Sequence, residues 1–251
     1  MNEKANNIIT SSLIGITAYM CTDILHEVIG HGSAALIAGY DIMLLTSVYF
    51  KSNPINFIIG LCGPISNLFF GLLLFVILGL KTLNSSLFKL LLTTIMAYNL
   101  FWFSGTLVQS GFDQIGDWTY AIEHLHIGTF ARPLLIVVGI TAYLVSIKLV
   151  ANRLYNLNFS FAKISLKQSI LYAYFFGVLA AMVAGLFYGP DRIAALKEGL
   201  LEMIASFPIL FIVTRTNGGK KQAITVKTNW VFYFSVCVAY ILFCFTLGKG
   251  I

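Results

Sequence analysis

Apolar residues in this chain form long blocks instead of alternating with polar residues. Blocks of about 20 apolar residues can cross a lipid bilayer as a helix, which satisfies its own backbone hydrogen bonds in hydrocarbon. The sequence lacks the short alternating strands of a membrane β-barrel. We therefore predict an all-α fold, a polytopic transmembrane helical bundle that forms one integral membrane domain. The predicted spans are at about 8–39, 54–80, 88–110, 132–151, 168–188, 194–213 and 229–247.

The first and the sixth of these blocks are irregular. The block at 8–39 is too long for one straight helix perpendicular to the bilayer, and we expect it to tilt or to break near Gly30 and Gly32. The block at 194–213 is the weakest, because charged residues interrupt its first half, and six spans are the alternative. These charged residues are Lys197, Glu198 and Glu202.

The composition supports a membrane location. Hydrophobic residues make up 58% of the chain and charged residues 10%, whereas a soluble domain carries about 25% charge. The net charge of +6 is explained by basic cytoplasmic loops, because seven spans place most of the 16 Lys and Arg residues on the side of the N-terminus. We expect a multi-pass protein with a cytoplasmic N-terminus and the lipid bilayer as its surroundings, and we expect no nucleic acid partner.

Ionisable residues in or next to the spans are candidates for function, because burying such a group in hydrocarbon is costly. The chain has 10 acidic residues and 4 histidines, and they are not evenly spread. One group lies on the first span and another follows the third span. The residues of interest in these two groups are Asp23, His26, Glu27, His31, Asp113 and Asp117.

The first group contains a segment close to the zinc-binding helix motif His-Glu-x-x-His, namely His-Glu-Val-Ile-Gly-His at 26–31. The motif's histidines are four residues apart and share a helix face, but here they are five apart and would diverge by roughly 140° on an α-helix. A π-bulge with i→i+5 hydrogen bonds would bring His26 and His31 together. Alternatively, Glu27 and His31 form the ligand pair. We favour the π-bulge, which Gly30 makes easier.

The spelling His-Glu-x-x-Gly-His resembles the zinc motif of the dipeptidyl peptidase III family, in which both histidines remain ligands and the glutamate remains the base. Residues 8–130 resemble the site-2 protease family of intramembrane zinc metalloproteases. The likeness rests on the motif in the first span, on Gly-Pro-Ile-Ser-Asn at 63–67, and on Gly-Phe-Asp-Gln-Ile-Gly-Asp-Trp at 111–118. The resemblance implies a metalloprotease core in the first three spans, followed by additional transmembrane helices in 131–251.

A catalytic zinc has three protein ligands and an open position for water. We assign His26 and His31 as two ligands and Asp117 as the third, with Asp113 as the alternative. Glu27 is then the general base that takes a proton from the activated water.

Four further residues are assigned supporting roles. Asp23 is a candidate for orienting a histidine from behind the ligands, or else a polar residue of helix packing. The resemblance implies that Gly63, Pro64 and Asn67 hold an extended substrate backbone. The alternative is a packing kink at Pro64 that Asn67 stabilises.

These assignments predict a zinc-dependent intramembrane metallohydrolase. Its substrate is expected to be a transmembrane or membrane-associated polypeptide, which must unwind locally before its peptide bonds are accessible. One alternative is an ion-coupled transporter or relay that uses the same buried His, Glu and Asp residues. Others are a zinc hydrolase of a non-peptide membrane substrate and an inactive membrane scaffold.

Overall fold

The computed structural model describes residues 2–80, 85–113, 116–125, 128, 130–157, 159–214, 222–225 and 228–251. Positions 114 and 115 of the predicted loop motif therefore lie outside the described residues. The chain is mostly helical, and the predicted helical class is confirmed. In chain order the elements are α1 (Glu3–Asp23), a π-helical segment (Ile24–Gly32), α2 (Ser33–Ile37), β1 (Asp41–Leu45), β2 (Phe50–Asn53), α3 (Phe57–Ile77), α4 (Ser86–Asp113), α5 (Asp117–Leu125), α6 (Ala131–Tyr155), β3 (Phe159–Phe161), α7 (Leu166–Gly185), α8 (Arg192–Ile204), α9 (Pro208–Thr214), β4 (Gln222–Ile224), α10 (Trp230–Phe243) and a second π-helical segment (Cys244–Gly248).

Six helical stretches in the described part of the chain are long and apolar enough to cross a membrane. They match six of the seven predicted blocks. The first stretch is helical throughout, because the π-helical segment continues directly from α1 into α2, so the break considered near Gly30 and Gly32 does not occur. The six are Glu3–Ile37, Phe57–Ile77, Ser86–Asp113, Ala131–Tyr155, Leu166–Gly185 and Trp230–Gly248.

The predicted span 194–213 is the exception. Here the chain forms two shorter helices, α8 and α9, joined by a turn in which the Ser206 amide donates to the Met203 carbonyl at 3.0 Å. Pro208 begins α9, and its missing N–H suits the start of a helix better than a helix interior. Neither helix is long enough to cross a bilayer alone, so the count of seven spans is not confirmed by helix length.

Helix α10 runs parallel to α7. The Tyr240 hydroxyl donates to the Ala180 carbonyl at 2.7 Å. Eight residues later in the chain, a Cβ placed on Gly248 would lie 2.9 Å from the Ala184 carbonyl, four residues further along α7. Because both contacts advance in the same direction, the two helices share one orientation across the bundle.

The centre of the bundle is closely packed. Helices α1 and α7 meet at Gly15, where a Cβ would lie 2.6 Å from the Ala173 Cα, so a larger residue would force these helices apart. Tyr19, Tyr98 and Phe101 are fully buried beside this contact or in the same core. Such packing fixes the position of the first helix, which carries the histidine motif.

A β-hairpin that the sequence pattern did not reveal follows α2. Leu45 of β1 faces Phe50 of β2 in antiparallel register, and the Thr46 hydroxyl closes the turn by accepting the Tyr49 amide at 2.6 Å. Outside the hairpin, Leu45 exchanges two backbone hydrogen bonds with Ile251. Within a largely apolar chain, strands of four or five residues have no periodicity that separates them from a helix.

Candidate metal centre

The π-helical segment brings the two motif histidines to one face. In an i→i+5 helix, residues five apart lie above one another, as the sequence predicted for positions 26 and 31. The Nε2 atoms of His26 and His31 are 3.2 Å apart, and their ring centroids are 4.9 Å apart. Both side chains are buried. The predicted π-helical distortion is therefore confirmed.

Asp117 is the carboxylate that meets both histidines. Its Oδ2 lies 3.2 Å from Nε2 of His26, and its Oδ1 lies 3.4 Å from Nε2 of His31. Asp113, the alternative third ligand, is exposed at the end of α4. Burial alone would raise the pKa of Asp117. Positive charge on His31 and hydrogen bonds from both imidazoles lower it by more, so a proton held at Nε2 keeps the carboxylate ionised, as a cation in the same place would.

Hydrogen bonds at the opposite ring nitrogens determine which tautomer each histidine adopts. Nδ1 of His31 lies 2.8 Å from the Ile59 carbonyl, which can only accept, so this nitrogen carries the proton. Nδ1 of His26 bonds to the Asn67 side-chain oxygen. Both Nε2 lone pairs then face each other and the Asp117 carboxylate. Such a group of electron pairs is unfavourable unless a cation or proton lies between them.

A chain of amides holds the Asn67 oxygen towards His26. Nδ2 of Asn99 donates to the Ile95 carbonyl at 2.8 Å and to Thr22 Oγ1 at 3.1 Å, which leaves Asn99 Oδ1 as an acceptor. Nδ2 of Asn67 donates to that oxygen at 2.8 Å, so Asn67 Oδ1 must face His26. All members of this chain are buried, and the bond between Asn67 and Asn99 joins α3 to α4.

Two glycines allow the first and second spans to meet at the histidines. A Cβ on Gly63 would lie 2.8 Å from His26 Nε2 and closer still to His31 Nε2. A Cβ on Gly30 would lie 2.5 Å from the Gly63 Cα. Gly30 therefore allows the π-helical segment to pack directly against α3. Its position inside the motif did not predict this role.

The three residues predicted to hold substrate lie beside the histidines or in the packing of α3. Gly63 makes room for both rings, Asn67 binds His26, and Pro64 is buried within α3. The neighbouring Ser66 hydroxyl donates to the Leu25 carbonyl at 2.5 Å, at the start of the π-helical segment. These contacts tie α3 to the irregular part of the first helix.

The remaining predicted site residues are Glu27 and Asp23, the two acidic residues of the histidine-bearing helix. Glu27 is buried, and its carboxylate belongs to one group of potential ligand atoms with the two histidines, all within 4.8 Å of one another. Asp23 is also buried, but the atoms that bond the histidine Nδ1 positions belong to Asn67 and Ile59. In the described residues Asp23 makes no hydrogen bond to either histidine.

Sequence reasoning missed the aromatic walls of the centre. Phe50 of the hairpin stacks on His31, with ring centroids 5.1 Å apart and planes 18° apart. Trp102 of α4 presents its ring to His26 at 6.0 Å and 73°. His124 lies elsewhere, stacked on Phe57 at 4.5 Å. The aromatic contacts join distant parts of the chain, so no local signal identifies them.

The fold and this centre define a helical, multi-pass membrane protein in which two histidines and a carboxylate converge and Glu27 lies beside them. Comparisons with family models, with curated proteins and with solved structures found no match. The donor set of two imidazoles and one carboxylate is one that zinc uses in catalytic sites.

Proposed function

We propose that this chain is a zinc-dependent intramembrane hydrolase, a peptidase built on a site-2 protease-like core. The observation that carries the proposal is the spacing of the donor atoms of His26, His31 and Asp117. Their shortest separations are 3.2, 3.2 and 3.4 Å. A tetrahedral zinc with bonds of about 2.0–2.1 Å keeps its ligand atoms about 3.3 Å apart. The three groups therefore approach one another about as closely as zinc ligands do, with the two distances to Asp117 measured to different oxygens of its carboxylate, Oδ2 and Oδ1.

The protein's own groups supply the rest of the chemistry. Zinc held by the three ligands would activate a water molecule at its open position and polarise the carbonyl to be cleaved. Glu27, buried beside the histidines, takes the proton from that water and passes it to the leaving amine. Asn67 and the Ile59 carbonyl keep His26 and His31 in the tautomer that leaves Nε2 free.

The hairpin supports a polypeptide substrate over a lipid. Phe50, the first residue of β2, stacks on His31, so this strand passes beside the metal centre. Among the described residues β2 pairs with β1 only, and its other edge has backbone groups available for a further strand. A substrate segment that unwinds and pairs with this edge would present its peptide bonds near Glu27.

Helix directions support seven crossings, with α8 and α9 together forming one of them. Because α7 and α10 are parallel, the chain between them must return across the bundle. Helix α8 packs antiparallel to α7: a Cβ on Gly199 would meet the Ala181 carbonyl at 2.7 Å, and the rings of Phe207 and Tyr174 are 6.1 Å apart. With seven crossings, basic residues favour a cytoplasmic N-terminus and place the centre towards the opposite face.

Metal analysis of the purified protein is the primary test. Wild-type protein should contain one zinc per chain, and His31→Ala should contain little. The control is His124→Ala, which removes a histidine outside the centre and should retain full zinc. Wild-type protein that purifies without zinc and does not take it up would refute the proposal and favour an ion relay.

Hydrolysis is tested with the zinc-loaded protein reconstituted in liposomes with membrane-embedded model peptides. Mass spectrometry should detect new peptide termini, and Glu27→Gln should abolish them while zinc is retained. Loss of zinc in Glu27→Gln would make Glu27 a ligand instead of the base. Release of fatty acid or headgroup from the liposome lipids, without peptide cleavage, would identify a lipid hydrolase.

A further inference from the structure

A cleft outside the metal centre lies between the N-terminal half of α1 and the first turns of α4 and α10. Its volume is about 430 Å³, which is in the range of ligand-binding cavities. Thr10, Ser86 and Asn229 contribute to its lining, one from each of the three helices or its cap. Thr10 precedes His26 by 16 residues, about 24 Å along the first helix, so this cleft is separate from the metal centre.

A buried hydrogen-bond network forms the inner wall of the cleft. The hydroxyl oxygens of Thr10 and Tyr233 are 2.8 Å apart, and the Thr10 hydroxyl donates to the Asn6 carbonyl at 2.9 Å. Thr10 and Tyr233, which both line the cleft, are 3% and 7% exposed. Because the network joins α1 to α10, it holds two sides of the cleft in fixed positions.

Apolar side chains cover much of the remaining wall. Ile14 of α1, Leu91 of α4 and Ile224 of β4 line the cleft, and Phe88 and Phe232 add aromatic rings. Removing such a surface from water is favourable, so an occupant that covers it is expected to carry a hydrocarbon part.

Two helices begin at the polar rim of the cleft. The Ser85 hydroxyl oxygen accepts the Phe88 amide at 3.3 Å at the start of α4, and Asn229 Oδ1 accepts the Phe232 amide at 3.0 Å at the start of α10. All four residues line the cleft. Helix N-termini carry partial positive charge, which favours a negatively charged group beside them.

Side-chain charge has the same sign. The sequence stretches 81–91 and 220–233, parts of which line the cleft, contain two and three lysines and no acidic residue. None of the described lining residues is acidic. The surroundings of the cleft therefore attract an anion, whereas its wall favours hydrocarbon.

We propose that this cleft binds one anionic phospholipid, with the phosphate at the starts of α4 and α10 and an acyl chain against Ile14, Leu91 and Ile224. A phospholipid joins a phosphate to hydrocarbon, whereas a small soluble anion leaves the apolar wall uncovered. With the orientation proposed above, this end of the bundle lies at the cytoplasmic leaflet, where anionic lipids are attracted to basic segments between helices. The bound lipid contacts the histidine-bearing helix at the end remote from its motif.

Native mass spectrometry of the purified full chain tests the site. The protein in detergent is mixed with equal amounts of phosphatidylglycerol and phosphatidylcholine that carry the same acyl chains. The wild type should retain one phosphatidylglycerol with about tenfold preference over phosphatidylcholine. Equal retention of the two lipids would overturn the proposal. Displacement of phosphatidylglycerol by added inorganic phosphate would also overturn it, in favour of a soluble anion.

A substitution at the rim tests the placement of the phosphate. In Ser86→Glu, a carboxylate in the first turn stabilises α4 through the helix dipole but repels a bound phosphate. The matched control is the uncharged Ser86→Gln. Ser86→Glu should lose the preference for phosphatidylglycerol and Ser86→Gln should keep it, so equal preferences in the two variants would refute the site. If Ser86→Glu does not fold, as judged by size-exclusion chromatography, Ser86→Asp replaces it.

A second substitution tests the apolar part of the cleft. Leu91→Trp occupies space beside Ile14 and should lower retention of phosphatidylglycerol about tenfold. The control is Leu134→Trp, at a residue of α6 that is 58% exposed and lies outside the cleft, and it should bind like the wild type. Undiminished retention by a folded Leu91→Trp protein would contradict acyl-chain binding in the cleft. None of these measurements needs a substrate or a metal, so the lipid site is tested separately from the proposed hydrolase.

Discussion

Replacing Gly63 by alanine should abolish zinc binding without unfolding the protein. The added Cβ would lie 2.8 Å from His26 Nε2, whereas ordinary van der Waals contacts begin at 3.4 Å. The His26 ring must therefore move by at least about 0.6 Å, and the His31 ring by more. Zinc sites tolerate deviations of about 0.2 Å in ligand distance. At least one imidazole should be lost as a ligand, which lowers zinc affinity by about 100-fold or more.

The free energy of unfolding distinguishes a specific loss of zinc binding from a general destabilisation of the fold. Alanine is favoured over glycine in a helix interior by about 0.5–1 kcal/mol, so α3 itself should not weaken. The control is Gly71→Ala on the same helix, where the new Cβ would crowd the buried Leu100 side chain at 2.6 Å, a clash of similar size that lies away from the histidines.

The assay for Gly63→Ala is zinc titration with a fluorescent chelator, accompanied by thermal melting of the metal-free protein. Gly71→Ala should titrate like the wild type, and both variants should melt as cooperatively as the wild type. Full-affinity zinc binding by a folded Gly63→Ala protein would refute the placement of the metal between the two rings.

Three further outcomes are expected. Asp117→Ala should lower zinc affinity by about 100-fold or more while Asp113→Ala leaves it unchanged, as measured by chelator competition; equal losses would contradict the choice of third ligand. Asn67→Ala should weaken zinc binding about 10–100-fold by releasing the His26 ring, and an unchanged Kd would show that the amide chain does not position it. Zinc affinity should fall as the pH is lowered, because protonated imidazoles cannot bind the metal, whereas the pKa of Asp117 lies below the usual carboxyl range and this ligand stays ionised; an affinity that does not change with pH would contradict imidazole ligands.

Part of the candidate site could be predicted because its elements are close in sequence. The five-residue separation of His26 and His31 forces a choice between an irregular helix and diverging rings, and the π-helical segment resolves it as expected. The choice between Asp113 and Asp117 could not be made with equal certainty. It depends on how the chain after α4 folds back over the start of α3, where a Cβ placed on Gly60 would lie 3.3 Å from the Asp117 carbonyl oxygen.

The amino-acid sequence alone determined that this is a helical membrane protein with a few ionisable residues gathered on its first helix, because block length and scarcity of charge are local properties. Tertiary structure decided that Asn67 orients His26 and that Phe50 covers His31. The residues of each pair lie in different elements of the chain. Their contacts follow from close helix packing and hairpin placement, which depend on the whole chain and not on the periodicity of any one segment.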